Sequence, residues 1–362
     1  MAPQIEECQI SAFTIPTDQP ESDGTLQWDS TTLVLVELAA AGATGIGYTY
    51  SCPATATLID EKLRSLVVGA NPMNIAASYH AMVHHTRNLG RPGIVSMAIS
   101  AVDVALWDLK CKLLKVSLAK LLGQVRDAVP VYGSGGFTSY SDDELREQTS
   151  GWVKEGIRQV KMKVGRDTCR DPHRVKIVRD AIGDAGLFVD ANGGYSRKQA
   201  VALMHKFADL GVTWFEEPVS SDDLEGLRLI RDANVPNVEV TAGEYGFQPS
   251  YFRRMLELGA VDVLQADATR CGGITGFLAA AAISDAFLIP LSSHCAPSLH
   301  MHLGCAIAGI RHLEYFHDHV RIEQKLFDGF VPAKNGKMKP SMERFGLGLE
   351  FKSKDAEMYR RS

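Results

Sequence analysis

No two of the seven cysteines stand at CxxC spacing, and they are scattered from Cys8 to Cys305. That spacing excludes a zinc ribbon or a dithiol redox motif, and an odd number of dispersed thiols reads as free cysteines in a reducing compartment. No run of lysines or arginines is long enough to follow a phosphate backbone, and the net charge is −5, so nucleic acid is not an expected partner. Nowhere do about eighteen apolar residues run uninterrupted, which argues against a membrane span. The opening residues, MAPQIEECQI, carry acids where a signal peptide carries a basic end and an apolar run, and the expected location is cytoplasmic. What is present is 45% hydrophobic and 22% charged residues, the balance of a globular chain with a substantial core.

A chain of 362 residues exceeds one hydrophobic core, so a large domain with a smaller companion is expected. In residues 1–125, β-rich runs (TTLVLVEL, GIGYTY) precede three helical stretches, ATLIDEKLRSLVVG, NIAASYHAMVHHTRN and GIVSMAISAVDVALWDLKCKLL, which describes a small α+β unit. Across 126–320, short apolar runs from VPVYGSGG through QVKMKVG, GLFVDANGG and VTWFEEP to RHLEYF alternate with amphipathic helices. Eight strands and seven helices in this order imply an α/β fold of parallel strands closed into a TIM-like (β/α)7β barrel. A doubly wound open sheet is the alternative; against it, GSGGFT lacks the spacing of GxGxxG. Residues 321–362, punctuated by Gly and Pro, are expected to return to the N-terminal unit.

In such barrels the C-terminal strand ends form the rim of the active site. Here they read Lys161 and Lys163, Asp190, Glu216 with Glu217, Glu244, Asp267, His294 and Glu314 on seven consecutive strands. Residues i and i+2 of a strand share a face, so Lys161 and Lys163 point together. Facing inward, their mutual repulsion and desolvation would push a lysine pKa down toward that of a working base. Asp190, Glu216 and Glu244 recur at intervals of 26 and 28 residues, one per successive strand. Three carboxylates around one point make a hard oxygen site suited to Mg2+. Glu217, adjacent to Glu216, is expected to face the other way.

His294 gains meaning from Asp267 one strand earlier, because a carboxylate on one imidazole nitrogen fixes the tautomer and raises the basicity of the other. His300 and His302 fall inside an apolar helical segment and read as structural. His317 and His319 follow Glu314 closely enough to line the rim as substrate contacts.

The motifs KMK, DANGGY, WFEEP, AGE, QADATRCGG, SSH and LEYF, in this order, resemble the enolase superfamily, and within it the mandelate racemase subgroup of the mandelate racemase/muconate lactonizing enzyme family. The resemblance spans nearly the whole chain and implies a modified (β/α)7β barrel with an α+β capping domain and a C-terminal segment completing the cap. It implies Mg2+ on Asp190, Glu216 and Glu244, and Lys163 as one acid/base catalyst with Lys161 near the substrate carboxylate. His294 paired with Asp267 would be the second catalyst, and Glu314 the acid that donates a hydrogen bond to that carboxylate.

The implied chemistry is removal of the proton α to a carboxylate, giving an enediolate that the metal, Lys161 and Glu314 stabilise. If His294 protonates a β-hydroxyl leaving group, the enzyme is a carbon–oxygen lyase that dehydrates an aldonate or aldarate to a 2-keto-3-deoxy acid. Return of a proton to the opposite face makes it a racemase or epimerase, and cycloisomerisation is also known to the superfamily. Resemblance favours dehydration. A metal-dependent hydrolase, which would hold zinc through nitrogen-rich ligands, and a non-enzymatic structural role are the rival classes. The small-molecule carboxylate substrate would be covered by loops at Ile15 to Leu26 and Tyr48 to Thr57, with Tyr48 as a contact. Arg87, Asn88 and Arg91 would either meet a distal hydroxyl or carboxylate or cap a helix at a surface turn. The family likeness further implies a symmetric homo-oligomer such as an octamer.

Overall fold

Three long antiparallel strands open the chain: β1 (Glu7–Ser22), β2 (Gln27–Ala40) and β3 (Ala43–Ser51), in a computed structural model that describes residues 3–361. Pairing of β1 with β2 is continuous to Pro16 opposite Ser30, slips, and resumes at Glu21 opposite Trp28. Pro16 and Pro20 lack the N–H a regular ladder requires, and the slip absorbs them. The segment expected as a loop from Ile15 is therefore mostly strand, and only its tip after Ser22 turns.

Helix Ile94–Leu113 lies across this sheet, with residues such as Val102, Ala105 and Leu109 fully buried. Gly47 permits the approach: a Cβ there would fall 2.1 Å from the carbonyl oxygen of Ala101. Helix Ile75–His85 and a helical stretch beginning with Pro53–Leu58 complete the unit.

Eight parallel strands follow: β4 (Val129–Gly135), β5 (Gln159–Lys163), β6 (Gly186–Asp190), β7 (Val212–Glu216), β8 (Glu239–Ala242), β9 (Val263–Ala266), β10 (Leu291–Ser293) and β11 (Leu313–Phe316). Neighbours pair in chain order from β4 to β10, and β11 pairs with β4. The Ser293 N–H to the His312 carbonyl (3.4 Å) and the Arg311 N–H to the Leu291 carbonyl (2.9 Å) bring β10 against the β11 side, so the sheet is a nearly closed barrel. Helices fill the outside, two of them opened by reciprocal capping boxes at Ser141 with Glu144 and Ser196 with Gln199.

Strand parity sorts the barrel residues. Val160, Met162, Val189 and Phe215 point outward into the main core beneath the helices. Tyr132, Phe188, Trp214 and Val263 form a separate cluster inside the barrel, a floor on which the polar residues two positions later stand. Beyond the barrel, Lys337–Met338 pairs with β4, and Arg360–Arg361 adds a short strand to β1. The tail thus touches both the foot of the barrel and the first sheet.

Candidate active site

The floor determines the next layer. Phe188 and Asp190, Trp214 and Glu216, Tyr132 and Ser134, and His312 and Glu314 are i, i+2 pairs, so each strand that contributes a floor residue lifts a polar group above it. The Trp214 indole N–H donates to Glu216 Oε2 at 3.0 Å, tying floor to polar layer. Lys161 lies over the Tyr132 ring at 5.4 Å and is fully buried. Its ammonium is 2.6 Å from Glu216, 2.7 Å from Glu314 and 3.3 Å from Asp190. Lys163, two residues nearer the mouth, meets Asp190 at 2.5 Å.

This contact reverses the expectation for the lysines. Burial opposes their charge, but Asp190 at Lys163, and Glu216 and Glu314 at Lys161, outweigh it, and both ammoniums are held above the ordinary lysine range. Glu314 departs from expectation in the same way. Burial favours its neutral form, yet Lys161 and His294 hold it well below the usual carboxylate range, so it accepts from Lys161 instead of acting as a neutral acid donor. Ser134 Oγ and the Cys295 N–H also donate to it, at 2.6 and 2.8 Å.

Carboxylate oxygens of Asp190, Glu216 and Glu244 all lie within 4.8 Å of one another, buried. Glu216 is pushed up to about 8 by burial and the Asp190 charge, despite the Lys161 ammonium it shares with two other acids. Glu244 Oε2 is buried without a hydrogen bond, although His294 Nε2 stands 3.3 Å away. Acids that repel one another and an oxygen lacking a donor fit a hard divalent cation. Gly243 brings Glu244 there: at φ +141°, a Cβ would fall 1.9 Å from the Gln265 carbonyl oxygen.

Glu217 does not turn away as alternation predicts. The strand ends at Glu216, Glu217 takes a left-handed backbone (φ +38°), and burial with the Glu244, Asp190 and Glu216 charges raises its buried carboxyl well above the usual carboxylate range.

On the opposite side of the mouth, His294 Nδ1 donates to Asp267 Oδ2 at 2.8 Å. The other Asp267 oxygen accepts from the Thr269 N–H and Oγ1, both at 2.7 Å. Burial disfavours the imidazolium, but the carboxylates of Glu244, Glu314 and Asp267 together raise the His294 pKa. Arg270, missed in the sequence although three residues after Asp267, reaches Glu244 at 3.2 Å and faces the same space.

Lys163, Glu244, His294 and Glu314 open onto one cavity of about 350 Å³, roofed by Trp28 and Tyr50 from the first sheet. The tip after β1 supplies Asp23 and Leu26, as expected of a covering segment. Tyr48 does not reach the cavity: it is fully buried and its hydroxyl donates to Glu323 at 2.8 Å. Tyr50, on the same strand face, lines the cavity and stacks on His319 with ring centroids 3.4 Å apart. Arg87 and Asn88 are exposed, Arg91 donates to the Tyr79 hydroxyl, and none of the three is among the residues lining the cavity. His317 sits 3.7 Å from Asp18, and His300 and His302 are buried on backbone partners, as structural residues are.

Two family models cover most of the chain: the mandelate racemase / muconate lactonizing enzyme N-terminal domain over residues 13–123, and an enolase C-terminal domain-like model over 144–356. The 3,6-anhydro-alpha-L-galactonate cycloisomerase of Streptomyces coelicolor is 32% identical over 327 residues, covering 87% of this chain and 88% of that protein. The L-talarate/galactarate dehydratase of Salmonella typhimurium is 30% identical over 96% of this chain and 88% of its own length. Its structure with Mg and L-lyxarohydroxamate superposes with a TM-score of 0.91, covering 100% of this chain and 94% of that one. A mandelate racemase/muconate lactonizing enzyme-like protein from Rubrobacter xylanophilus has a TM-score of 0.97 at 49% identity, covering 99% of this chain and 100% of that one. The chain belongs to the mandelate racemase/muconate lactonizing enzyme family of the enolase superfamily.

Proposed function

We propose that this protein is a magnesium-dependent hydro-lyase that removes the proton α to the carboxylate of an aldonate or aldarate and expels a β-hydroxyl, giving a 2-keto-3-deoxy acid. The observation that carries the reading is the placement of Lys163 and the Asp267–His294 pair on either side of the three-carboxylate cluster, all facing one small cavity. Bound at Asp190, Glu216 and Glu244, Mg2+ supplies positive charge to the substrate carboxylate and neutralises acids that otherwise hold Lys163 protonated. Lys163 then accepts the α-proton at Nζ. Lys161, held by Glu314 and sealed from water by the aromatic floor, sets a fixed positive charge beside the developing anion. His294 delivers a proton from Nε2 to the leaving hydroxyl, and Asp267 on Nδ1 supports the imidazolium it starts from. Arg270, Tyr50 and His319 face the cavity and are placed to meet the distal end of an acid sugar.

The dehydratase relative, whose structure carries magnesium and an acid-sugar analogue, supports this reading. The cycloisomerase relative, of similar identity, supports a second one in which the same residues act on an anhydro acid or lactone. Residues 1–125 then serve as the cap, 126–320 as the catalytic barrel and 321–362 as the segment returning to the cap. A cytoplasmic homo-oligomer such as an octamer completes the reading, testable by cell fractionation and by light scattering on the eluting protein. No helix among the described residues is long and apolar enough to cross a membrane.

The test is proton NMR in heavy water with Mg2+ and a library of aldonates, aldarates, their lactones and simple α-hydroxy acids. A deuterated keto acid establishes the dehydratase and names its substrate. Deuterium at the α-carbon with inversion and no loss of water replaces it with an epimerase, and consumption of lactones alone with a cycloisomerase.

A further inference from the structure

The cavity holds a second group of metal-binding atoms with a different chemistry. His294 Nε2, Cys295 Sγ and a Glu314 oxygen lie within 4.8 Å of one another, all on buried residues. Sγ is 3.2 Å from Nε2, and Glu314 Oε2 is 3.8 Å from it. Bonds of about 2.0 to 2.3 Å to a tetrahedral zinc imply ligand separations of roughly 3.3 to 3.7 Å, so the observed pair brackets what one ion requires. The remaining imidazole nitrogen is held by Asp267 at 2.8 Å, the carboxylate–histidine arrangement that orients zinc ligands. The backbone sets the thiol there: Cys295 (φ +52°) and Ala296 (φ +39°) are consecutive left-handed residues, and the Cys295 N–H is pinned to Glu314.

We propose that His294, Cys295 and Glu314 form a soft-metal site that takes Zn2+ or a similar ion and, by occupying His294 Nε2, switches the enzyme off while the oxygen site keeps its own cation. Three protein ligands leave a fourth position open to the cavity, as at a zinc centre that exchanges water or a small ligand. The two sites adjoin, His294 Nε2 being 3.3 Å from Glu244 Oε2, but they differ in donor type: the carboxylate cluster offers only oxygen, whereas this one adds nitrogen and sulfur to the Glu314 oxygen, and Mg2+ binds those poorly. Excess Mg2+ therefore does not relieve the inhibition, and a chelator that removes zinc does. As the ion binds, the sulfur–hydrogen bond breaks, the thiolate coordinates, and the proton passes to solvent. Metal binding rests on the geometry alone; inhibition rests also on the proposed role of His294.

The experiment titrates the Mg2+-saturated protein with Co2+ and follows the thiolate-to-cobalt charge-transfer absorption in the near ultraviolet, with Zn2+ inhibition of dehydration, the step that uses His294, measured in parallel. The band is expected in the wild type and in the Cys52→Ser/Cys169→Ser protein, which lacks the two exposed thiols. It is expected to vanish in Cys295→Ser, with Cys295→Ala as the second variant, and both should carry out dehydration in the presence of Zn2+. Absence of the band in the wild type overturns the site, as does its persistence in both Cys295 variants. A Cys295-dependent band with no inhibition leaves the site standing and overturns the assignment of His294 Nε2 to the reaction.

Discussion

Replacing Asp267 with asparagine removes one charge and almost no volume, and the surrounding donors decide how the new amide must lie. One Asp267 oxygen accepts from both the Thr269 N–H and Oγ1 at 2.7 Å. An amide NH2 turned that way would face two donors, so the carbonyl takes that position and the NH2 faces His294 Nδ1. Nδ1 must then become an acceptor, the imidazole proton moves to Nε2, and the neutral ring loses the carboxylate that supported its imidazolium. With the delocalised charges about 4 Å apart, a unit charge is worth about 4 kcal/mol at an effective dielectric of 20, or roughly 10³-fold on the protonation step. In Asp267→Asn, dehydration should therefore fall by about 10² to 10³, while exchange of the α-proton with solvent, which depends on Lys163, is largely retained. Deuterium-incorporation NMR reads both on one sample. A parallel collapse of exchange and elimination, or an unchanged rate of elimination, would refute the reasoning.

Dialysis against a chelator should abolish α-proton exchange, with recovery on adding Mg2+, and Glu216→Gln should raise the Mg2+ concentration needed; recovery by zinc alone would point to the hydrolase class. Gly243→Ala should destabilise by roughly 3 kcal/mol, combining strain and overpacking, whereas Gly42→Ala, at φ +76° with nothing within 4 Å, should show only the strain of about 1 kcal/mol; denaturant midpoints separate the two. Burial depresses the His302 pKa from its ordinary value to about 4, its Nε2–H donating to the Leu347 carbonyl at 3.0 Å. Between pH 4 and 6.5 the unfolded chain binds a proton that the folded chain refuses, so stability from this group is complete above 6.5 and falls as pH drops toward 4. The difference in unfolding free energy between wild type and His302→Gln should shrink by roughly 3 kcal/mol across that window in urea melts at successive pH values.

The alternation of apolar runs with amphipathic helices determined the barrel, because parallel strands joined by helices close in one hand and one order. Period two along the strands determined that Lys161, Lys163, Asp190, Glu216 and Glu314 face inward, while Glu244, Asp267 and His294 stand just past the ends of their strands. What the sequence could not carry was the distance between charges on different strands. Adjacent lysines suggested mutual repulsion and a lowered pKa; the folded barrel puts a carboxylate against each, and attraction wins. The same contact turned Glu314 from an expected donor into an acceptor. Alternation also failed where a strand ends, at Glu217, since the left-handed residue there is set by the loop geometry around it. The roof of the cavity was settled by packing between the first sheet and the barrel, so Tyr50 faces the site while Tyr48, on the same strand face, is drawn to a buried glutamate.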